Sequence, residues 1–376
     1  MADSHDTFQI IMDLLGAGLS PLVTGPPGVG KTGFIYDLAG TKINGQEVKI
    51  LSMVASNRES TDIGGYPTVV DGVVKFVPVD WAVSARELFD QGYFVIVFID
   101  EVRDITPPVF AALNKVVHER KVGDFEMPFG VRFIGAANSI EDSTVGIAMP
   151  PPSANRWCHI PWEINTMVGS WIDNMILNRF ALQSPLTAAA KDRLPAERAN
   201  IAAFIQKRQE LIHVMPKSED EKDGPWPSPR TLDYTAHAWA AVDSNDLERR
   251  MRLMASCVGK YVAAEYLEWR RSANLPDPEL VLKGEIKDFV VNDRPDITYS
   301  TLSSVVSCVA SRWSKDRYLG AWKVIAIAAD AGAADIATAL VPTLERTTDG
   351  RTDVPDPSEH IKSLLPILQR AGVSLR

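Results

Sequence analysis

Over roughly the first 163 positions, short apolar and β-branched runs alternate with helical stretches; beyond Asn165 the strand signal stops. Pro21–Thr24, Val48–Val54, Tyr93–Ile99, Val131–Ala136 and Trp157–Pro161 read as strands. Helical stretches near residues 31–40, 80–90, 107–119 and 141–148 fall between them. Tyr93–Ile99 is apolar throughout, as expected of a strand covered on both faces. The rhythm predicts an α/β fold with a parallel five-stranded sheet sandwiched by helices. Two hairpin signals interrupt it. Asp71-Gly72 sits between Tyr66–Val70 and Val73–Val77, the turn chemistry of a tight β-hairpin, and Lys121–Gly130 is a second candidate.

The remainder reads as helices separated by polar and proline-rich breaks at Pro216–Pro227, Ala273–Pro278 and Thr347–Pro357. Ala321–Leu340 is rich in alanine but contains Asp330, Gly332 and Asp335, so it reads as a helical pair rather than a membrane span. The expected organisation is a core over 1–163, a helical region over 164–275 and a C-terminal helical extension over 276–376. No repeat of fixed period is evident.

Composition adds limits. With 45% hydrophobic and 23% charged residues over 376 positions, the chain reads as a soluble globular protein of several domains. Its acidic start lacks the basic and apolar pattern of a secretory leader, so a cytoplasmic location and no membrane partner are expected. Cys158, Cys257 and Cys308 are scattered and lack metal-site spacing, which argues against a disulfide framework or zinc. A net charge of −9 disfavours nucleic-acid binding by the whole surface. A basic channel inside an acidic ring leaves nucleic acid open as a partner.

The chemistry concentrates at the predicted strand ends. Gly25-Pro26-Pro27-Gly28-Val29-Gly30-Lys31-Thr32 follows one strand and precedes a helix, matching the GxxxxGK[ST] phosphate loop. Its glycines let backbone N–H groups turn toward phosphates, with the positive end of a helix behind them. Lys31 is the candidate contact to the β- and γ-phosphates, and Thr32 a magnesium ligand. Tyr93–Ile99 delivers Asp100 and Glu101 at its carboxyl end, where open α/β sheets bind ligands. Asp100 suits a contact to magnesium, and Glu101 suits polarising the attacking water. Asn138 ends another buried strand and is a candidate for holding that water or a γ-phosphate oxygen. Neither hairpin is needed to bind nucleotide, so both are candidate devices for moving a partner.

Together these residues resemble the AAA+ family of P-loop NTPases, whose loop reads GPPGxGKT and whose second motif ends in Asp-Glu. Two more segments join the resemblance. Ser153-Ala-Asn-Arg156-Trp157 is similar to the family's arginine-finger segment, and Ser228-Pro-Arg230 to its second sensor. Ser228 is a natural helix cap and Pro229 a natural first helical residue, which puts Arg230 in the first turn of a lid helix. Within AAA+, the hairpins and the stretches His118–Asn138 and Pro150–Arg156 are most similar to MoxR-type ATPases. Many of those read Leu-Asp-Arg-Phe where this chain has Ala-Asn-Arg-Trp.

The resemblance implies ATP and Mg2+ as cofactors, a hexameric ring of identical chains, and remodelling of a protein partner, commonly one with a von Willebrand factor A domain. Other classes are a nucleotide-dependent switch or scaffold with slow hydrolysis, and a nucleic-acid motor. Asn114-Lys-Val-Val117 lacks the acid of a guanine-recognition motif.

Overall fold

The computed structural model describes residues 4–142, 148–180, 185–242, 246–362 and 364–370. The chain divides into two compact units, Met1–Met167 and Val168–Arg376.

The first unit opens with α1 (Ser4–Gly16), β1 (Pro21–Thr24), α2 (Lys31–Tyr36), β2 (Lys42–Ile43), β3 (Gln46–Val54) and α3 (Ser60–Gly64). Next come β4 (Tyr66–Val70), β5 (Val73–Val77), α4 (Asp80–Asp90), β6 (Phe94–Asp100) and α5 (Pro107–Asn114). It closes with β7 (Lys121–Val122), β8 (Phe125–Glu126), β9 (Arg132–Ala137), α6 (Pro151–Ala154) and β10 (Cys158–Pro161), after which α7 (Ile164–Ile176) leads into the second unit.

The main sheet runs β10-β1-β9-β6-β3-β2. Four parallel pairings join the five predicted strands. The sixth strand, β2, is antiparallel to β3 and was not expected. It turns back through Asn44-Gly45, both in the left-handed region at φ 52° and 81°, the Asn-Gly chemistry of a tight hairpin. Successive β6 residues serve opposite faces. Val95, Val97 and Ile99 pack with Ala82 and Ala85 of α4 and Val109, Phe110 and Leu113 of α5. Phe94, Ile96 and Phe98 pack with Ile11 and Leu15 of α1 and Ile35 of α2. Burial of each large apolar side chain contributes about 1.5–3 kcal/mol relative to exposure. Because β1, β9 and β6 are neighbours, their carboxyl ends lie side by side.

The hairpin at Asp71-Gly72 forms as β4–β5, with both turn residues at positive φ. Its apolar side chains are largely exposed, Val69 at 69% and Val73 at 60%. The second hairpin is shorter than the expected Lys121–Gly130, pairing only Lys121–Val122 with Phe125–Glu126. Its tip is fastened to the first hairpin. The Asp124 N–H donates to Phe76 O at 2.9 Å, and the Phe76 N–H donates to Asp124 Oδ2 at 3.1 Å. Gly123, at φ 62°, makes this approach possible, since a Cβ there would sit 2.4 Å from Phe76 O. Helix α5 stops at Asn114 and continues as a π-helical turn over Lys115–Glu119. Of the helix expected near 141–148, Ile140–Asp142 is a 3-10 turn and residues 143–147 lie outside the described ones.

The second unit is helical among its described residues. It contains α8 (Ala188–Lys207), α9 (Glu219–Lys222), α10 (Pro229–Ala240), α11 (Leu247–Ala273), α12 (Pro278–Leu282), α13 (Pro295–Ser311), α14 (Lys315–Ala328), α15 (Ala334–Glu345) and α16 (Leu365–Arg370). Two buried ion pairs, Arg198–Asp233 at 2.8 Å and Arg250–Glu197 at 3.1 Å, tie α8 to α10 and α11. Asp296 of α13 accepts from Lys207 of α8 at 3.0 Å and from Trp269 of α11 at 2.9 Å, so helices on both sides of residue 275 share one core. Lys315–Thr348 is long and apolar enough by composition to cross a membrane. It is broken by Gly332 at φ 97°, and Trp322, Ile325, Leu340 and Leu344 are buried in the unit.

Candidate nucleotide site

The loop between β1 and α2 is shaped by its glycines. Gly28 and Gly30 sit at φ 77° and 87°, where side chains other than glycine are strained. At Gly25 the restriction is space, because a Cβ would lie 2.4 Å from the Trp162 carbonyl oxygen. Trp162 holds the loop at both ends. Its N–H donates to Thr24 O at 2.7 Å, and its indole Nε1 donates to Val29 O at 3.2 Å.

Lys31 begins α2 and is only 7% exposed. Its ammonium donates to Gly25 O at 2.8 Å, Pro26 O at 2.7 Å and Asn138 Oδ1 at 3.1 Å. Its buried charge is thereby compensated by three oxygens. The Thr32 hydroxyl donates to Asp100 Oδ2 at 2.8 Å. A hydroxyl and a carboxylate so close are hard oxygen donors of the kind magnesium takes while keeping several waters. The other Asp100 oxygen accepts the Glu101 N–H at 2.9 Å. Glu101 itself is left-handed, φ 57°, a conformation costly for a non-glycine residue and one that turns the chain sharply at the end of β6.

Thus Lys31, Thr32, Asp100, Glu101 and Asn138 come together at the carboxyl ends of β1, β6 and β9. Among the described residues, Arg156 makes no hydrogen bond to that group. It lies half-buried in the turn between α6 and β10, its Nη1 donating to Pro152 O. Arg230 lies in the second unit, exposed in the first turn of α10. The expected cap forms there: Ser228 accepts the Thr231 N–H, and the Thr231 hydroxyl accepts the Ser228 N–H.

Three participants were not read from the sequence. Ser56, just beyond β3, donates its hydroxyl to Glu101 Oε2. Arg103 donates from Nη1 to Asn138 O at 2.9 Å, linking the turn after β6 to the end of β9, and partial burial lowers its pKa. Arg58 shares a cleft with Thr32 and Asp100. The polar run Ser56-Asn-Arg58 directly after a predicted strand was the available signal. Its importance rests on β3 pairing with β6, Val54 opposite Asp100, which adjacency in sequence does not reveal.

Residues 20–146 match the AAA domain family, dynein-related subfamily. The matched stretch lies in the first unit and includes Gly25–Thr32, Asp100, Glu101 and Asn138 but ends before Arg156 and Arg230. No curated protein matches the chain. Among solved structures, NtrX from Brucella abortus in complex with ADP is similar at 13% identity and TM-score 0.37, over 84% of this chain and 65% of that one. NtrX in complex with ATP gives 13% and 0.38, over 83% and 63%. A RuvB variant from Thermotoga maritima gives 12% and 0.34, over 74% and 73%. The chain thus spans somewhat under two thirds of NtrX.

Proposed function

We propose that the first unit binds ATP with magnesium and hydrolyses it, and that copies of the chain work as a ring, hexameric in the MoxR manner, in the cytoplasm. The observation that supports this most is the meeting of Lys31, Thr32, Asp100, Glu101 and Asn138 at three adjacent strand ends. In the resting site Lys31 is satisfied by Gly25 O, Pro26 O and Asn138, so phosphate oxygens replace these acceptors when nucleotide enters the loop. Thr32 and Asp100 would hold magnesium, which would supply charge neutralisation for the bound phosphates. Glu101 positions and polarises the attacking water, and Asn138 acts beside Lys31 on the same terminal group. Arg230 of the helical lid responds to the nucleotide. The two fastened hairpins pass the resulting motion to a protein partner of the von Willebrand factor A type.

Arg156 is assigned to the site of a neighbouring copy, where a guanidinium on the transferring phosphoryl is worth on the order of a thousandfold or more in rate. Its hydrogen bond within its own turn, with none to the five clustered residues among those described, is in keeping with action in trans. Mixing tests this: Arg156→Ala should bind ATP normally yet depress wild-type turnover more than dilution does. Activity that falls only in proportion to the wild-type fraction would contradict a shared site.

A slower, switch-like output has one observation in its favour. Ser56 occupies a Glu101 oxygen, which restrains the residue assigned to the water. Assembly with ATP at negligible turnover would select that reading, and turnover stimulated by a protein partner would select the motor.

A further inference from the structure

The end of β3 borders a cleft of about 480 Å3 whose lining includes Thr32, Ser52, Asn57, Arg58 and Asp100. Arg58 is the one basic residue in that lining. Its backbone is anchored between two ordered turns. The Arg58 N–H donates to Ala55 O at 3.1 Å, closing the 3-10 turn over Ala55–Asn57, and α3 begins two residues later behind a capping box of Glu59 and Asp62. The guanidinium is exposed and makes no hydrogen bond or ion pair among the described residues. Asp62, the acid whose charge it feels, is occupied by the Glu59 N–H at 3.0 Å and the Tyr66 hydroxyl at 3.1 Å.

Charge balance gives that cation a task. Asp100 and Glu101 place two carboxylates at the end of β6, and the terminal phosphoryl of a nucleoside triphosphate adds negative charge beside them. Lys31 approaches from the loop side, and Val54 pairs with Asp100, so the segment after β3 faces the same strand end. Arg58 is a planar fork of donors suited to phosphate oxygens, already ordered at its base and uncommitted at its head. We propose that Arg58 recognises the terminal phosphoryl group of the bound triphosphate and sets the preference for triphosphate over diphosphate. This rests on the nucleotide reading above and adds a specificity-determining residue to it.

Equilibrium binding of ADP and of a non-hydrolysable ATP analogue, with magnesium, to the full chain tests the assignment. Arg58→Ala should weaken the analogue by about tenfold and leave ADP within about twofold, and Arg58→Lys should recover part of the loss. Retained ADP affinity shows that the variant is folded. Unchanged analogue affinity, or equal losses for both nucleotides, would overturn the role of Arg58 while the wild-type chain still binds. A wild-type chain that binds neither nucleotide, or a Lys31→Ala chain that binds as well as wild type, would overturn the nucleotide reading itself.

Discussion

Replacing Gly25 with alanine probes the phosphate loop through geometry alone. The added Cβ would sit 2.4 Å from the Trp162 carbonyl oxygen and 3.0 Å from the Trp162 Cβ. The clash is with backbone, so no side-chain rotation relieves it. Overpacking of this kind costs about 1–3 kcal/mol. Moving Trp162 away also strains its indole bond to Val29 O, worth about 1 kcal/mol more. The sum, about 2–4 kcal/mol, falls on the segment that must fit the phosphates.

Gly33 supplies the control. It lies in α2 with no atom within 4 Å of an added Cβ, and alanine in a helix is favoured over glycine by about 1 kcal/mol. Thermal unfolding and nucleotide titration of both variants check the contrast. Gly25→Ala should lower the melting temperature of the first unit and weaken nucleotide binding by tenfold or more, whereas Gly33→Ala should be neutral or stabilising. A Gly25→Ala chain as stable and as tight-binding as wild type would refute the account of why glycine stands there.

Removal of the Ser56 hydroxyl frees a Glu101 oxygen from a charge-assisted bond worth about 1.5–3 kcal/mol; Ser56→Ala should raise basal turnover several-fold at unchanged KM, and a fall in kcat would show that Ser56 aids Glu101 instead. Asp124→Ala removes the acceptor of the Phe76 N–H, so hydrogen exchange at Phe76 should accelerate by roughly tenfold while that of β6 stays fixed. In the second unit, Arg294, Lys207 and Trp269 hold the Asp296 carboxyl well below its usual pKa. The stabilisation from a depressed carboxylate is present above its unfolded pKa and disappears as pH falls through the folded one. Asp296→Asn should therefore cost about 1–3 kcal/mol at neutral pH, with the difference shrinking below about pH 4. A gap that persists in acid would refute the ionic account.

The parallel sheet and the gathering of Lys31, Thr32, Asp100 and Asn138 were legible because local chemistry dictates them. An uninterrupted apolar run such as Tyr93–Ile99 fits a strand buried on both faces, and a glycine-rich loop before Lys31-Thr32 has few other uses. Asp71-Gly72 announced its hairpin for the same reason. Asn44-Gly45 carried equal turn chemistry, but the flanking strand Lys42–Ile43 is only two residues long and offers no alternating pattern to read. Ser56, Arg58 and Arg103 escaped notice because their importance comes from strand register and from turns that bring distant residues together. The fastening of Asp124 to Phe76 is likewise a contact across 48 positions, specified by the space at Gly123 rather than by any local motif.

Glu101 is assigned to activate water in a site proposed to bind ATP without its help. Glu101→Gln keeps the size and much of the hydrogen bonding of the side chain while removing the base. ATP affinity and single-site turnover measured on this one variant should show binding within a few-fold of wild type and hydrolysis reduced by a hundredfold or more. Turnover close to wild type would contradict the assignment of Glu101 and the hydrolytic mechanism built on it.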